Sequence, residues 1–234
     1  MNIIHIGLGV RGRHWLEIVR DYPDGTSVGC IDPQAPALDW VKSHFPNLRD
    51  VCYDDLKKAL KNIKADAAII SSPPAFHANH AIMALEAGLA VMIEKPFATS
   101  VAEGARIVEA SRRTRCPVMV GQNYRYRRCE QTMRKLLREG KVGTVTHVSY
   151  VDRRARPAQG SFLSQVEYAQ VLDVGAHHFD SLRSMLGVNP VRVIARCGKA
   201  PWSAYLHGST TEAILEMEKN INIQYYGSLT SNRY

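Results

Sequence analysis

Short apolar runs alternate with longer segments of helical period through the first half of the chain, and that alternation restricts the fold more than any other feature. The runs are Ile3 to Ile6, Val28 to Ile31, Ala67 to Ile70, Ala90 to Ile93 and Val118 to Val120, with a weaker one at Val51 to Tyr53. Between them Gly12, Trp15, Leu16 and Val19 recur at helical spacing, as do Ala78, Ala81, Ile82 and Leu85. Four apolar positions at i, i+3, i+4 and i+7 make one buried helix stripe, and strands that alternate with such helices build β-α-β units and a parallel sheet. Gly88 stops the second of these helices, and Ser100 with Glu103 reads as a capping box for the next.

Gly7-x-Gly9-x-x-Gly12 lies directly after the first run and directly before the first helical stripe. In that context each glycine has a physical task. Gly7 permits a tight turn, Gly9 lets backbone approach a pyrophosphate, and Gly12 lets the helix pack against the sheet. The first turn of the helix, with Val10 and Arg11, offers N–H groups to the anion. Asp32 is placed to accept from the adenosine ribose hydroxyls, and its carboxylate repels a 2′-phosphate, so NAD is favoured over NADP. Arg11 and Arg13 flank the turn and suit either cofactor. The competing reading is a glycine turn kept only for packing.

Composition excludes several other classes. The 234 residues carry 30 Lys and Arg against 22 Asp and Glu, a net charge of +8. Basic residues cluster at Arg125, Arg127, Arg128, Arg134, Lys135, Arg138 and Lys141 and again at Arg153, Arg154 and Arg156, outside any nucleic-acid module, so a solvated face or an acidic ligand is expected rather than nucleic acid. No apolar run approaches the roughly 18–20 residues of a membrane span, and a strand beginning almost at Met1 leaves no room for a signal peptide, so a cytoplasmic location is expected. Five cysteines, Cys30, Cys52, Cys116, Cys129 and Cys197, form no C-x-x-C pair, which argues against a disulfide framework or a zinc site and for reduced, mostly buried thiols. No metal site is expected.

Glu94-Lys95-Pro96 ends the run at Ala90 to Ile93. Pro73-Pro74-x-x-His77 precedes it, and Asp173-x-Gly175-x-His177-x-x-Asp180 follows much later. Together with the glycine turn this combination resembles the Gfo/Idh/MocA oxidoreductases, the group of glucose–fructose oxidoreductase and inositol dehydrogenase. The resemblance implies an α/β chain: a doubly wound parallel Rossmann sheet in an NAD(P)-binding domain, residues 1–120, followed by an α+β open-sheet domain for substrate and oligomer contacts, residues 121–234. It brings Ser72, Pro73, His77, Glu94 and Lys95 to the cofactor and assigns Lys95 to catalysis, with packing at a helix start the alternative for His77 and a structural ion pair with Glu94 or another acid the alternative for Lys95. It also brings Asn123 and Arg125 toward the substrate, with Lys95, Asp173 and His177. Family members usually continue well past the position of Tyr234, so the second domain reads as incomplete.

Periodicity makes an independent statement about residues 173–186. Gly175, Phe179, Leu182 and Leu186 line one face of a continuous helix, and Asp173, His177, Asp180 and Ser184 line the other. Asp173 and His177 stand one turn apart, which suits a carboxylate that orients an imidazole, although a solvent-facing stripe has the same pattern. Oxidation of an alcohol by a nicotinamide cofactor requires a base for the hydroxyl proton. His177 is the candidate base, Asp173 its orienter and Lys95 the group that stabilises charge on oxygen, while His178 and His147 read as packing or surface residues. Tyr124, Tyr126 and Trp202 either stack on a sugar or pack in the interior.

The expected function is therefore hydride transfer between NAD, or NADP, and a secondary alcohol of a sugar, cyclitol or related polyol. A non-catalytic dinucleotide-binding regulator and an NAD-assisted glycosidase are the alternatives on the same scaffold. In the second domain, strands are expected at Val145 to Val151 and Val191 to Cys197, with a hairpin whose Ala213, Leu215 and Met217 alternate with Glu212, Ile214 and Glu216 before Ile221 to Tyr226. A chain stopping at Tyr234 is expected to leave that last strand with an unpaired edge and an apolar face at Ile214 and Tyr226, favouring a homo-oligomer through the second domain.

Overall fold

The structure, a computed structural model, describes residues 1–156 and 162–231. It separates into two compact units, Met1–Gly121 and Gln122–Tyr234.

In the first unit β1 (Asn2–Ile6), α1 (Val10–Arg20), β2 (Thr26–Ile31), α2 (Ala35–His44), β3 (Cys52–Tyr53), α3 (Leu56–Asn62), β4 (Ala67–Ile70), α4 (His77–Glu86), β5 (Ala90–Ile93), α5 (Val101–Thr114) and β6 (Val118–Val120) follow in order. The strands form one six-stranded sheet in the order β3-β2-β1-β4-β5-β6, with every pairing parallel. A parallel sheet holds its strands between helices, which is why β4 reads as an unbroken apolar run and β1 as one broken only by the buried His5, rather than as alternating strands. Ile4, Ile6, Ala68, Ile70, Val91 and Ile93 share one buried cluster with Ala78, Ala81 and Leu85 of α4 and Ile107 of α5. Leu16 of α1 packs instead with Leu8, Cys30, Val41 and Leu48.

The expected punctuation is present. Gly88 has φ +84° after α4, a left-handed conformation that costs glycine little. Ser100 Oγ accepts from the Glu103 N–H at 3.2 Å, but the Glu103 carboxylate turns to the Thr99 N–H and hydroxyl, so the reciprocal half of the cap is made one residue earlier than expected.

The second unit contains α6 (Arg128–Arg138), β7 (His147–Arg153), α7 (Ala176–Leu186), β8 (Pro190–Gly198), β9 (Thr210–Met217) and β10 (Ile221–Ser228). Its four-stranded sheet runs β7-β10-β9-β8. One face carries Ala213, Leu215, Met217, Ile221, Ile223 and Tyr225, which pack with Leu182 of α7 and Val188. The opposite face carries Glu212, Ile214 and Glu216 beside Asn222, Gln224 and Tyr226. The period of two sets this division directly.

Three expectations are corrected. The strand at Ile221 to Tyr226 has no open edge: β7 pairs along it in parallel from His147 to Arg153 while β9 covers its other side, because a parallel neighbour can be supplied by a distant segment that no hairpin signal marks. The edges belong to β7 and β8. The helix expected to run unbroken from Asp173 to Leu186 is instead a π-helical turn, Val171–Gly175, followed by α7. An added Cβ at Gly175 would stand 3.2 Å from the Gln170 carbonyl oxygen, so a glycine lets the widened turn close. Finally, Cys30 alone of the five cysteines is fully buried; Cys129 is exposed and the other three are half-buried.

Candidate active site

The C-terminal ends of β1, β2, β4 and β5 are consecutive with Gly7, Asp32, Ser71 and Glu94. These strands are neighbours in the order β2-β1-β4-β5, so four chemically loaded segments leave the sheet along one rim. The strand order reverses direction between β1 and β4, and open α/β sheets place ligands at such a point.

The glycine turn has the space requirements of a close approach. Gly7 adopts φ +90°, and a Cβ there would run into the Ser72 backbone. A Cβ at Gly12 would run into the Gly7 carbonyl, whereas nothing lies within 4 Å of one at Gly9. Gly9 is the N-cap of α1, its first turn holds no acidic residue, and no side chain caps it. Among the described residues the leading N–H groups therefore have no side-chain acceptor, an arrangement that suits a phosphate. Val10 is 90% exposed at this turn. Arg11 Nε lies 3.5 Å from Glu94 Oε1. Arg13 is directed elsewhere: its guanidinium lies over Trp40 at 4.4 Å and its Nε donates to the Leu8 carbonyl at 3.1 Å.

Asp32 is nearly buried. Its Oδ2 accepts from the Leu8 N–H at 2.7 Å and its Oδ1 from the Gln34 N–H at 2.9 Å. The carboxylate thus ties the end of β2 to the glycine turn, and since each oxygen carries a second lone pair it retains acceptor capacity for a vicinal diol. Its own N–H donates to the Tyr53 carbonyl at 3.1 Å. An uncapped helix start, glycines that a Cβ would block and an acid on the adjacent strand together fit a dinucleotide.

Farther along the rim, Ser72 and His77 are buried and Pro73 is exposed. The His77 ring bridges two segments, with Nδ1 2.8 Å from the Pro96 carbonyl and Nε2 2.8 Å from the Ser72 carbonyl. It is a buckle between the turn after β4 and the turn after β5. Glu94 is buried and held by the Trp15 indole N–H at 2.8 Å, while the Lys95 N–H reaches its other oxygen at 3.3 Å. Trp15 sits on the face of α1 that the helical stripe already marked, but nothing in its spacing pointed to Glu94. Lys95 is partly exposed immediately after β5, and the Lys95–Pro96 peptide is cis.

In the second unit His177 is buried and stacks on Tyr124, ring centroids 4.2 Å apart. Arg127 lies 3.1 Å from the Tyr124 ring centroid, and Arg154 donates to the Tyr124 hydroxyl at 3.4 Å. Burial raises the affinity of the Tyr124 phenol for its proton, but Arg154 and Arg127 together outweigh it and leave the group below its ordinary value. Arg156 donates to Asp173 in a charged hydrogen bond. Arg125 forks onto Asp180 at 2.6 and 2.7 Å, a bidentate geometry that fixes the guanidinium. Asn123, Tyr126 and Trp202 are exposed, and the Trp202 indole N–H donates to the Thr230 carbonyl.

His178, read from sequence as packing or surface, lies at the centre of a polar aromatic cluster. Its Nδ1 shares a hydrogen bond with the Tyr225 hydroxyl at 3.0 Å, and the Gln170 amide donates to the same hydroxyl at 2.5 Å. Burial depresses His178 to about 4, with Arg154 and Arg127 in the same direction and Asp152 opposing, and burial raises Tyr225 to about 12. Asp152 pairs with Arg154 at 2.8 Å. Sequence periodicity missed this cluster because its members come from β7, the segment before the π-helical turn, α7 and β10, which no local spacing relates.

Comparison with known proteins agrees with the fold. Residues 1–122 match the family described as "Oxidoreductase family, NAD-binding Rossmann fold", and residues 131–234 match its C-terminal domain, "GFO/IDH/MocA C-terminal domain". The chain belongs to the GFO/IDH/MocA oxidoreductase family. It is 27% identical to the uncharacterized protein y4oX of Sinorhizobium fredii over 97% of this chain and 65% of that protein. It is 25% identical to an inositol 2-dehydrogenase of Corynebacterium glutamicum over 94% of this chain and 67% of the enzyme. Its fold is similar to that of an Agrobacterium radiobacter oxidoreductase solved with NAD+, L-tartaric acid and magnesium, with a TM-score of 0.93 at 19% identity over 100% of this chain and 68% of that one. The chain spans about half to two thirds of the length of the curated relatives it matches. Among the described residues no helix is long and apolar enough to cross a membrane.

Proposed function

We propose that this chain carries the cofactor and proton-handling machinery of an NAD-dependent dehydrogenase acting on a secondary alcohol of a sugar, cyclitol or related polyol. The observation that supports it most is the rim of the first unit, where an uncapped helix start behind Gly7, Gly9 and Gly12, the Asp32 carboxylate and Lys95 follow adjacent parallel strands. NAD, when bound, supplies the acceptor for a hydride. The first turn of α1, with Val10 and Arg11, binds its pyrophosphate, Asp32 binds the adenosine ribose, and Ser72, Pro73, His77 and Glu94 shape the rest of the groove. Lys95 stabilises negative charge growing on the alcohol oxygen. His177 takes the hydroxyl proton on its imidazole, held in one plane by Tyr124. Asp173 and Arg156 form a charged pair that positions the turn before His177. Asn123 and Arg125 stand at the start of the second unit as substrate-facing groups, Arg125 presented by Asp180.

The substrate class draws on the inositol and D-apiose dehydrogenases among the relatives. A panel of cyclitols, aldoses and sugar acids with NAD, followed by absorbance of the reduced cofactor, tests it. Steady reduction with one polyol class is expected; tight NAD binding without turnover on any alcohol overturns the dehydrogenase reading.

A second copy of the chain fits the outer sheet face of the second unit. Ile194 and Ile214 are register partners and both exposed, and exposed Val151 lies opposite Tyr226. Ile214→Lys should shift the mass seen by light scattering toward the monomer while leaving the circular dichroism unchanged; an unaltered oligomer overturns this contact.

A further inference from the structure

Cys30 and Cys52 are register partners on the adjacent parallel strands β2 and β3. Neighbouring strands lie about 4.8 Å apart, within the roughly 4.4–6.8 Å that disulfide-linked Cα atoms span. Both side chains belong to the cluster of Leu8, Leu16, Val41 and Leu48, so they leave the sheet on the same face. We propose that this pair is a modification site at which a hydroperoxide converts two thiols to a disulfide, and that the closure weakens NAD at the neighbouring Asp32. The second clause rests on the cofactor reading above; the first does not.

The two sulfurs are unequal in a way that assigns their roles. Cys30 is wholly buried, whereas Cys52 is half-buried and its thiol donates to the Leu48 carbonyl at 3.3 Å. A hydrogen bond from the Cys30 thiol draws Cys52 down to about 7, with Lys42 assisting and burial, Asp39 and Asp50 opposing, and the same bond holds the proton on Cys30. Cys52 is therefore the accessible thiolate and Cys30 the resolving thiol. The Cys52 thiolate attacks one peroxide oxygen, the O–O bond breaks, and hydroxide leaves to give Cys52 sulfenic acid. Cys30 then attacks that sulfur: the S–S bond forms, the S–O bond breaks, and the departing hydroxide leaves as water with the Cys30 proton. Two thiols lose two electrons and two protons, and hydrogen peroxide becomes two waters. The other cysteines have no such arrangement: Cys197 is paired in register with Thr211, and Cys116 and Cys129 lie outside the strands.

The coupling follows from chain connectivity. Asp32 is two residues beyond Cys30, its N–H bonds to Tyr53 next to Cys52, and the Ile31 carbonyl accepts from the Gly7 N–H at 2.8 Å. A disulfide fixes its Cβ atoms about 3.8 Å apart, a tighter constraint than strand pairing alone imposes, so closure resets the packing of β3 against β2 beside the acid.

The test takes the full chain, reduces it with dithiothreitol, and treats it with a small excess of hydrogen peroxide. Intact mass should show loss of two hydrogens, and a non-reducing peptide map should join the Cys30 and Cys52 peptides. Calorimetric titration should show NAD roughly tenfold weaker after oxidation, with recovery on reduction and no change on peroxide treatment in Cys52→Ser or, should that variant be unstable, Cys52→Ala. Overoxidation of Cys52 without the crosslink, or a linkage through Cys129 instead, overturns the dithiol site. A formed crosslink with unchanged NAD affinity overturns the coupling. Failure of the reduced protein to bind NAD counts against the cofactor reading, and the peptide map still decides the dithiol.

Discussion

The Tyr124 ring lies flat on the His177 ring, with centroids 4.2 Å apart and planes 8° from parallel, and the Arg127 guanidinium lies over the tyrosine ring. A stacked partner stops the imidazole from rotating, and a base must keep its ring plane if its nitrogen is to meet a substrate hydroxyl. Tyr124→Leu should lower kcat roughly tenfold and stability by about 1–3 kcal/mol, whereas Tyr124→Phe, which keeps the stack and loses only the hydroxyl contacts with Arg154 and Arg127, should stay within about threefold. Turnover assays with urea denaturation check both. Equal losses in the two variants would place the effect on the hydroxyl rather than the stack.

Lys95→Met and His177→Ala should each reduce kcat by roughly 10²–10⁴-fold, the usual range for proton-transferring and charge-stabilising groups, with little change in NAD affinity. Single-turnover kinetics on variants with native circular dichroism decide this. Near-normal turnover in either would remove that residue from the chemistry.

Asp32→Ala should act on both stability and cofactor binding. It leaves the Leu8 and Gln34 N–H groups without their acceptor, which costs roughly 1–3 kcal/mol for each group that water does not reach. NAD should bind at least about tenfold more weakly, while NADP, freed from a repelling carboxylate, should lose less. Calorimetry with both cofactors measures the difference, and a native preference for NADP would be inconsistent with Asp32 as the ribose ligand.

Two buried histidines predict acid sensitivity. Burial depresses His5 and His178 to about 4. Both are ordinary imidazoles near 6.5 once unfolded, so between these values the unfolded chain binds more protons than the folded one. Stability is then complete above about pH 6.5, falls as pH drops toward 4, and receives no further change from these groups below that. His5 loses roughly 3 kcal/mol across the window, and His178 acts in the same direction. Around His178 the charged and titratable neighbours are Asp152, Arg154, Arg127, Tyr124, Tyr150 and Tyr225. Urea midpoints from pH 4 to 8 should show the slope, and His178→Asn should flatten it for the second unit; a flat native profile would contradict burial of neutral imidazoles.

The parallel sheet, the α1 stripe, the glycine turn and the hairpin at Met217 to Ile221 were all legible in the chain, since each depends on interactions among residues a few positions apart. Gly7 and Gly12 had to be glycine for reasons of backbone sterics, and Lys95 fell at a strand end because the apolar run before it stopped at Ile93. Period could not show a pairing with a distant segment. β7 reaches β10 from 75 positions away, and the unpaired edge expected at Ile221 to Tyr226 vanished with it.

Side-chain partners across elements belonged to tertiary structure alone. Trp15 with Glu94, Arg156 with Asp173, Arg125 with Asp180 and Cys30 with Cys52 are each joined by geometry between elements. The widened turn at Val171–Gly175 is of the same kind, because one extra residue in a helical turn leaves the apolar pattern on either side intact. Backbone propensity and hydrophobic period are local quantities and survive in one dimension, whereas the hydrogen bond that sets a carboxylate or a thiol depends on which strands the sheet brings side by side.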